Sequence, residues 1–147
     1  MQGICVIAMQ FLEILKKFFE MKDNILFAIL FGSYARGTYT KHSDIDITIF
    51  FRRKPSIDEI IDFIFELSHA LNVNESKIDI VVLNDDIPYS LLFEILKYGI
   101  PIIVRDKEAF IDFYTRSLNL YYDLKILKET HHLRRKFIAH IEAILNG

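Results

Sequence analysis

The sequence predicts an α/β (α+β) fold: a small mixed β-sheet covered by helices, followed by a helical C-terminal region. Three observations lead there. Two short and almost continuously apolar runs, 25–31 and 45–51, read as strands largely buried in a sheet. Segments with apolar residues at helical spacing fall before, between and after such runs. Glycine, proline and helix-capping residues stand at the joints.

The first element is a helix near residues 8–22, where Met9, Leu12, Leu15, Phe18 and Phe19 form one stripe that ends around Asp23-Asn24. The first strand, 25–31, runs into Gly32-Ser33. A short helix is expected to start near Tyr34, with Gly37 ending it in a conformation other residues resist. The second strand, 45–51, is apolar except for Asp46 and Thr48. Ser56-Ile-Asp-Glu59 is a capping box that opens a helix, and Ile57, Ile60, Ile61, Ile64, Leu67 and Leu71 are expected to form its buried face. A third strand, 77–83, follows. Pro88 precedes a helix through Leu91 to Tyr98, Gly99 stops it, and 101–104 is a short fourth strand. Asp106 begins the last helical region, where Phe, Tyr and Leu between residues 110 and 145 are expected mostly to pack in the core. Strands joined through helices imply a mixed sheet with helical cover. No linker or repeat divides the chain, so 1–147 reads as one domain, with a core at about 25–105 and the helical region at about 106–147.

Charge goes against this pattern in one place. Asp44 and Asp46 stand at the mouth of an otherwise apolar strand. Because side chains alternate, both project to one face while Ile45, Ile47 and Ile49 take the other. Aspartates are common at loop ends, but two on one face repel, by roughly 4 kcal/mol at about 4 Å and an effective dielectric near 20. A divalent cation turns that cost into attraction. Asp44 and Asp46 are therefore read as Mg²⁺ ligands. Mg²⁺ takes oxygen ligands and is usually shared between one or two carboxylates and substrate phosphates. Gly32 and Ser33 offer the phosphate cradle: close backbone approach, free N–H groups at a helix start and a hydroxyl donor. Arg36, in the same turn, is in reach of a phosphate oxygen, and Ser43 either adds to the nucleotide site or caps the turn before the strand. Asp79, at the entrance of the third strand, is the third acid. Beside the second strand it completes a site for one or two Mg²⁺ and accepts the proton of an attacking hydroxyl.

Gly32-Ser33 followed by Asp44-Ile45-Asp46, with a separate Asp79 opening the next strand, resembles the nucleotidyltransferase superfamily related to DNA polymerase β, in particular its minimal nucleotidyltransferase (MNT) branch. Gly32-Ser-Tyr-Ala-Arg-Gly37, Ser43-Asp-Ile-Asp46, Ile80-Val-Val-Leu-Asn-Asp85, Leu92-Phe-Glu-Ile-Leu96, Gly99 and Tyr122-Asp-Leu-Lys125 are similar to the MNT antitoxins that accompany HEPN-type toxins. The resemblance covers about residues 25–128. It implies a nucleotidyltransferase fold and transfer of AMP from ATP to a tyrosine of the toxin, a ribonuclease that is thereby silenced. It makes Asp44, Asp46 and Asp79 the catalytic and metal residues. It also implies a HEPN-type protein partner, which part of the 110–145 face is expected to bind, since aromatic residues with a polar end suit interfaces. The alternatives are transfer to a small-molecule hydroxyl and a non-catalytic antitoxin that only covers its toxin.

Composition agrees. Twenty Asp plus Glu against 18 Lys plus Arg is poor material for gripping a long polyanion. Hydrophobic content of 52% with 14% aromatics suggests apolar surface reserved for a partner or a second copy. The single cysteine, Cys5, forms no internal disulfide, suits a cytoplasmic location and is expected to pack as a small apolar group. No apolar run is long enough to span a membrane, and the apolar 1–9 segment lacks the basic start of an export signal. Two features are set aside. His131 and His132 are adjacent, without the i, i+4 spacing of a helical metal site. Arg135 to His140 looks like the Arg-x4-His element of HEPN ribonucleases, but one helix does not supply the bundle such a nuclease needs.

Overall fold

The structure, a computed structural model, describes residues 2–145, with side chains from residue 8 onward, so the Cys5 side chain lies outside the described residues. Among the described residues five α-helices and four strands follow one another as α1 (Gln2–Glu20), β1 (Ile25–Phe31), α2 (Gly32–Arg36), β2 (Ile45–Phe51), α3 (Ile57–Leu71), β3 (Ile78–Val82), α4 (Tyr89–Tyr98), β4 (Ile100–Val104) and α5 (Lys107–Leu145), with a single 3-10 turn, Glu75–Lys77, before β3. The strands form one mixed sheet in the order β3-β2-β1-β4. β1 is antiparallel to both β2 and β4, and β2 is parallel to β3 through the α3 crossover. The α/β class and all four strands expected from the sequence are present.

Alternation along the strands divides the core in two. Ile45, Ile47, Ile49 and Phe51 of β2 pack with Leu15, Phe18 and Phe19 of α1 and Phe63 and Leu67 of α3. On the other face Phe27, Ile29 and Phe31 of β1 pack with Ile95 of α4 and Phe110 and Phe113 of α5. Asp46 and Thr48 alternate onto this second face. Thr48 is fully buried and its hydroxyl donates to the Val81 carbonyl, which satisfies the one neutral polar group inside β2.

The capping box forms as expected: the Ser56 hydroxyl accepts from the Glu59 N–H, and the Glu59 carboxylate accepts from the Ser56 N–H. The buried face of α3 departs from the expectation. Ile57 and Ile61 are exposed (80% and 56%), while Phe63 is buried in the α1 core. The helix turns Phe63, Leu67 and the flanking Ile60 and Ile64 inward because the aromatic cluster of Phe18, Phe19 and Phe51 accepts the Phe63 ring edge-on. A second departure concerns α5. Its first turns pack on the sheet, yet every residue from 125 to 145 is exposed, so the expectation of core packing fails for the distal half of the helix. No body of the fold extends far enough to cover a helix of 39 residues.

Arg105 ties the two ends of this architecture together. Its guanidinium donates to the carbonyls of Phe19, Glu20, Lys22 and Ile25, and so caps the C-terminus of α1 from the end of β4. Among the described residues no helix is long and apolar enough to cross a membrane.

Candidate active site

The site lies where β1 ends and β2 begins. Gly32 adopts φ +68°, and a Cβ placed on it would lie 2.1 Å from Asp46 Oδ2, so this turn passes directly over the Asp46 carboxylate. Only glycine allows both the left-handed conformation and that approach. Asp46 sits opposite Phe31 in the antiparallel ladder and opposite Asp79 in the parallel one. Equal register puts the Asp46 and Asp79 side chains on the same face, as the sequence reading requires. Asp44 comes just before β2, exposed like Asp79, while Asp46 is half-buried.

The loop that carries Asp44 is held from both sides. The Ser43 hydroxyl accepts from the Thr40 N–H and Ser43 N–H donates to the Thr40 carbonyl, so Ser43 is occupied in closing the turn. Lys77, one residue before β3, donates through Nζ to the His42 carbonyl at 3.0 Å and draws the loop towards Asp79. Asp46 and Asp79 share a face and the charge of Asp44 acts on Asp46, yet among the described residues no three His, Cys, Asp or Glu side chains form a set that holds a metal ion.

Helix α2 is anchored on its two flanks. Tyr34 stacks between Phe11 and Tyr39, with centroids 5.0 and 4.4 Å away. Arg36 reaches the opposite way: it pairs with Glu94 of α4 at 2.7 Å and its guanidinium lies 5.5 Å from the centre of the Tyr98 ring. Arg36 is therefore beside the acids but engaged by Glu94. Sequence reasoning missed Glu94 as a site residue, and Lys77 as the tether of the loop. The available signal for Glu94 was a lone acid between Phe93 and Ile95, within the apolar stretch Leu91–Leu96.

A polymerase beta, nucleotidyltransferase family model matches residues 13–108, which runs from within α1 to the start of α5 and includes every acid of the site. The chain belongs to this nucleotidyltransferase family. A Methanocaldococcus jannaschii protein provisionally named protein adenylyltransferase MJ0141 is 31% identical over 99 residues, 64% of this chain and all of its own length. A second from the same organism, provisionally named protein adenylyltransferase MJ1379, is 38% identical over 68 residues, 45% of this chain and 65% of its own. Among solved structures, one chain of a toxin–antitoxin complex with AMP-PNP superposes with a TM-score of 0.64 at 20% identity, covering 81% of this chain and 93% of that one. A chain from the complex of a tri-AMPylated Shewanella oneidensis HEPN toxin with its MNT antitoxin gives a TM-score of 0.61 at 17% identity, covering 84% and 93%. At these identities the structures establish a shared fold.

In this nucleotidyltransferase the electrostatics single out Asp46. Its pKa is pushed up to about 6, first by desolvation, then by the charges of Asp79 and Asp44 and more weakly by Glu94, with Arg36 acting in the opposite direction. The chemistry of the candidate donors, all carboxylate oxygens, suits a hard divalent cation, and positive charge placed beside Asp46 would favour its ionised form. The folded value lies above the ordinary 3.8, so the folded chain holds this proton more tightly than the unfolded one. The resulting stabilisation is fully present below about pH 4 and is lost as pH rises through about 6. In metal-free protein the Tm of the wild type should therefore fall relative to that of Asp46→Asn across this window, and Mg²⁺ added at neutral pH should raise the wild-type Tm but not that of the variant. Thermal unfolding with and without Mg²⁺ checks both; identical pH curves for the two proteins would remove Asp46 as the strained acid.

Proposed function

We propose that the chain is a Mg²⁺-dependent protein adenylyltransferase that transfers AMP from ATP to a tyrosine hydroxyl of a cognate HEPN-type ribonuclease toxin, and so acts as the antitoxin of a toxin–antitoxin pair. The observation that carries the chemistry is the register of Asp46 with Asp79 beneath Gly32, in a chain of nucleotidyltransferase family. The protein acceptor rests on the names of the relatives and the toxin partner on the titles of the similar structures.

In this reading Gly32 and Ser33 bind the triphosphate through backbone N–H groups and the serine hydroxyl. Arg36, released from Glu94, adds a charge-assisted contact to it. Ser43 serves by holding the loop that presents Asp44. Asp44, Asp46 and Asp79 would hold the metal, which when bound neutralises charge on the phosphates. Asp79, the more exposed acid at the strand entrance, takes the proton of the tyrosine hydroxyl as its oxygen forms the new bond to the α-phosphorus, and pyrophosphate leaves. Residues 1–147 act as one nucleotidyltransferase domain.

The same face of the sheet offers a place for the acceptor protein. Between α4 and α5 a groove of about 410 Å³ is lined by Tyr89, Phe93, Tyr121 and Leu124, with Lys125 and Lys128 at its edge. Phe93 and Tyr121 stack at 5.4 Å and give it rigid aromatic walls. It begins on the helix that supplies Glu94, so a protein seated there extends towards the acids. The test is incubation with α-labelled ATP, Mg²⁺ and the product of the neighbouring gene. Label on a partner tyrosine supports the proposal. Full neutralisation of the partner with no label transferred replaces it by inhibition through binding alone.

A further inference from the structure

Two exposed apolar ridges remain unused by the site, and they match. On α3, Ile57, Ile61 and Phe65 follow one another at intervals of four, and Phe65 is 50% exposed. Immediately beside this ridge runs an acidic one at the same interval, Asp58, Asp62 and Glu66, of which Glu66 is paired with Lys22 just after α1. On the distal half of α5, Leu133, Phe137, Ile141 and Leu145 form an apolar ridge in which Phe137 is 65% exposed. Beside it, one position earlier, runs the row His132, Lys136 and His140, in which Lys136 supplies the formal positive charge and the two histidines add imidazole donors.

Ridges along i±4n are the rows that interdigitate in the commonest class of helix packing. The acidic row follows its apolar ridge by one position and the basic row precedes its own by one. Successive residues turn about 100° around a helix. When two such helices face each other and run parallel, both charged rows therefore fall on the same flank, acid against base. Antiparallel packing separates them to opposite flanks. The match does not arise within one molecule. α3 packs on the α1 side of the sheet, while α5 leaves from the opposite side, where it rests on α4 and β1.

We propose that the distal half of α5 docks in parallel on α3 of a second copy of this chain. Done reciprocally, the exchange of tails makes a closed two-fold dimer and buries both ridges of both copies; done one way, it would leave an open chain of subunits. The groove between α4 and α5 and the acid cluster lie outside this contact, so the proposal is independent of the reaction catalysed.

Charge exchange tests it, because all the residues changed are exposed. Sedimentation of the full chain across roughly 1–300 μM should show a dimer. The variant Asp58→Lys with Asp62→Lys, and separately Lys136→Glu with His140→Glu, should each weaken dimerisation by about tenfold or more. Mixing the two variants should restore a heterodimer, since the native α5 of one meets the native α3 of the other and the reversed pair is again complementary. Circular dichroism confirms that each variant is folded. A wild type that stays monomeric throughout, a dimer indifferent to the α3 charges, or variants that fail to rescue each other would overturn the proposal.

Discussion

Replacing Asp46 by asparagine should reduce nucleotidyl transfer by on the order of 10³-fold or more, while leaving the protein at least as stable as the wild type. The two effects have one cause. Asp46 is the acid that Gly32 covers and that Asp79 and Asp44 repel, so its charge is costly to the fold and, in the proposed mechanism, useful only when a cation is bound. In the proposed reaction a metal-held phosphoryl group would depend on that charge for several kcal/mol of transition-state stabilisation, and each factor of ten corresponds to about 1.4 kcal/mol. Asparagine keeps the shape and discards the charge. The outcome is read from the initial rate of label transfer together with the Tm at neutral pH. A variant that is inactive because it unfolds would show the opposite sign in Tm, and a variant that retains activity would remove Asp46 from the site altogether. Gain of stability on loss of a functional group is the behaviour expected where a site is strained for its chemistry.

Replacing Gly32 by alanine should be nearly as severe for catalysis and, unlike the first change, should also destabilise. Two costs add. The left-handed backbone at φ +68° disfavours any Cβ by roughly 1–2 kcal/mol. The new methyl would stand 2.1 Å from Asp46 Oδ2, so either the turn or the carboxylate must move. Movement of the turn withdraws the N–H groups proposed to hold the triphosphate, and movement of Asp46 withdraws the proposed metal ligand, so a loss of about 10²-fold or more in rate is expected from either. Gly37→Ala is the matched control. Its φ is also positive, at +72°, but nothing lies within 4 Å of the position of the new Cβ. It should show the backbone cost in a denaturant titration, about 1 kcal/mol, with little change in rate. Equal effects of the two substitutions on the rate would mean that backbone conformation alone, and not contact with Asp46, gives Gly32 its importance.

Much of the fold was legible in residue order because the signals were local. β1 and β2 are apolar runs of strand length, and the structure reproduces their bounds as 25–31 and 45–51. The capping box at Ser56 and the stop at Gly37 are contacts among near neighbours, and both form. The face of α3 was misjudged for a complementary reason. Ile57 and Ile61 are as apolar as Ile60 and Ile64, so periodicity admits more than one inward face, and only the aromatic rings of Phe18, Phe19 and Phe51 select the one that buries Phe63. The distal α5 was misjudged because apolar spacing states that a helix has a face to cover and does not state whether this chain or another covers it.

For the candidate site, the sequence by itself determined which residues are candidates for the chemistry: a glycine and a serine at a strand end, two acids two apart at the start of a strand, and a third acid opening another strand. Alternation along an extended chain places Asp44 and Asp46 on one face whatever surrounds them. Tertiary structure alone decided that Asp79 lies beside Asp46, because a parallel pairing through a crossover helix has a register that no short-range pattern encodes. It alone decided that Gly32 lies against the Asp46 carboxylate, that Arg36 is claimed by Glu94 from a helix 58 residues away, and that Arg105 caps α1. Each of these is a meeting of groups distant in the chain, set by how the sheet and its covering helices pack rather than by any residue's own preference.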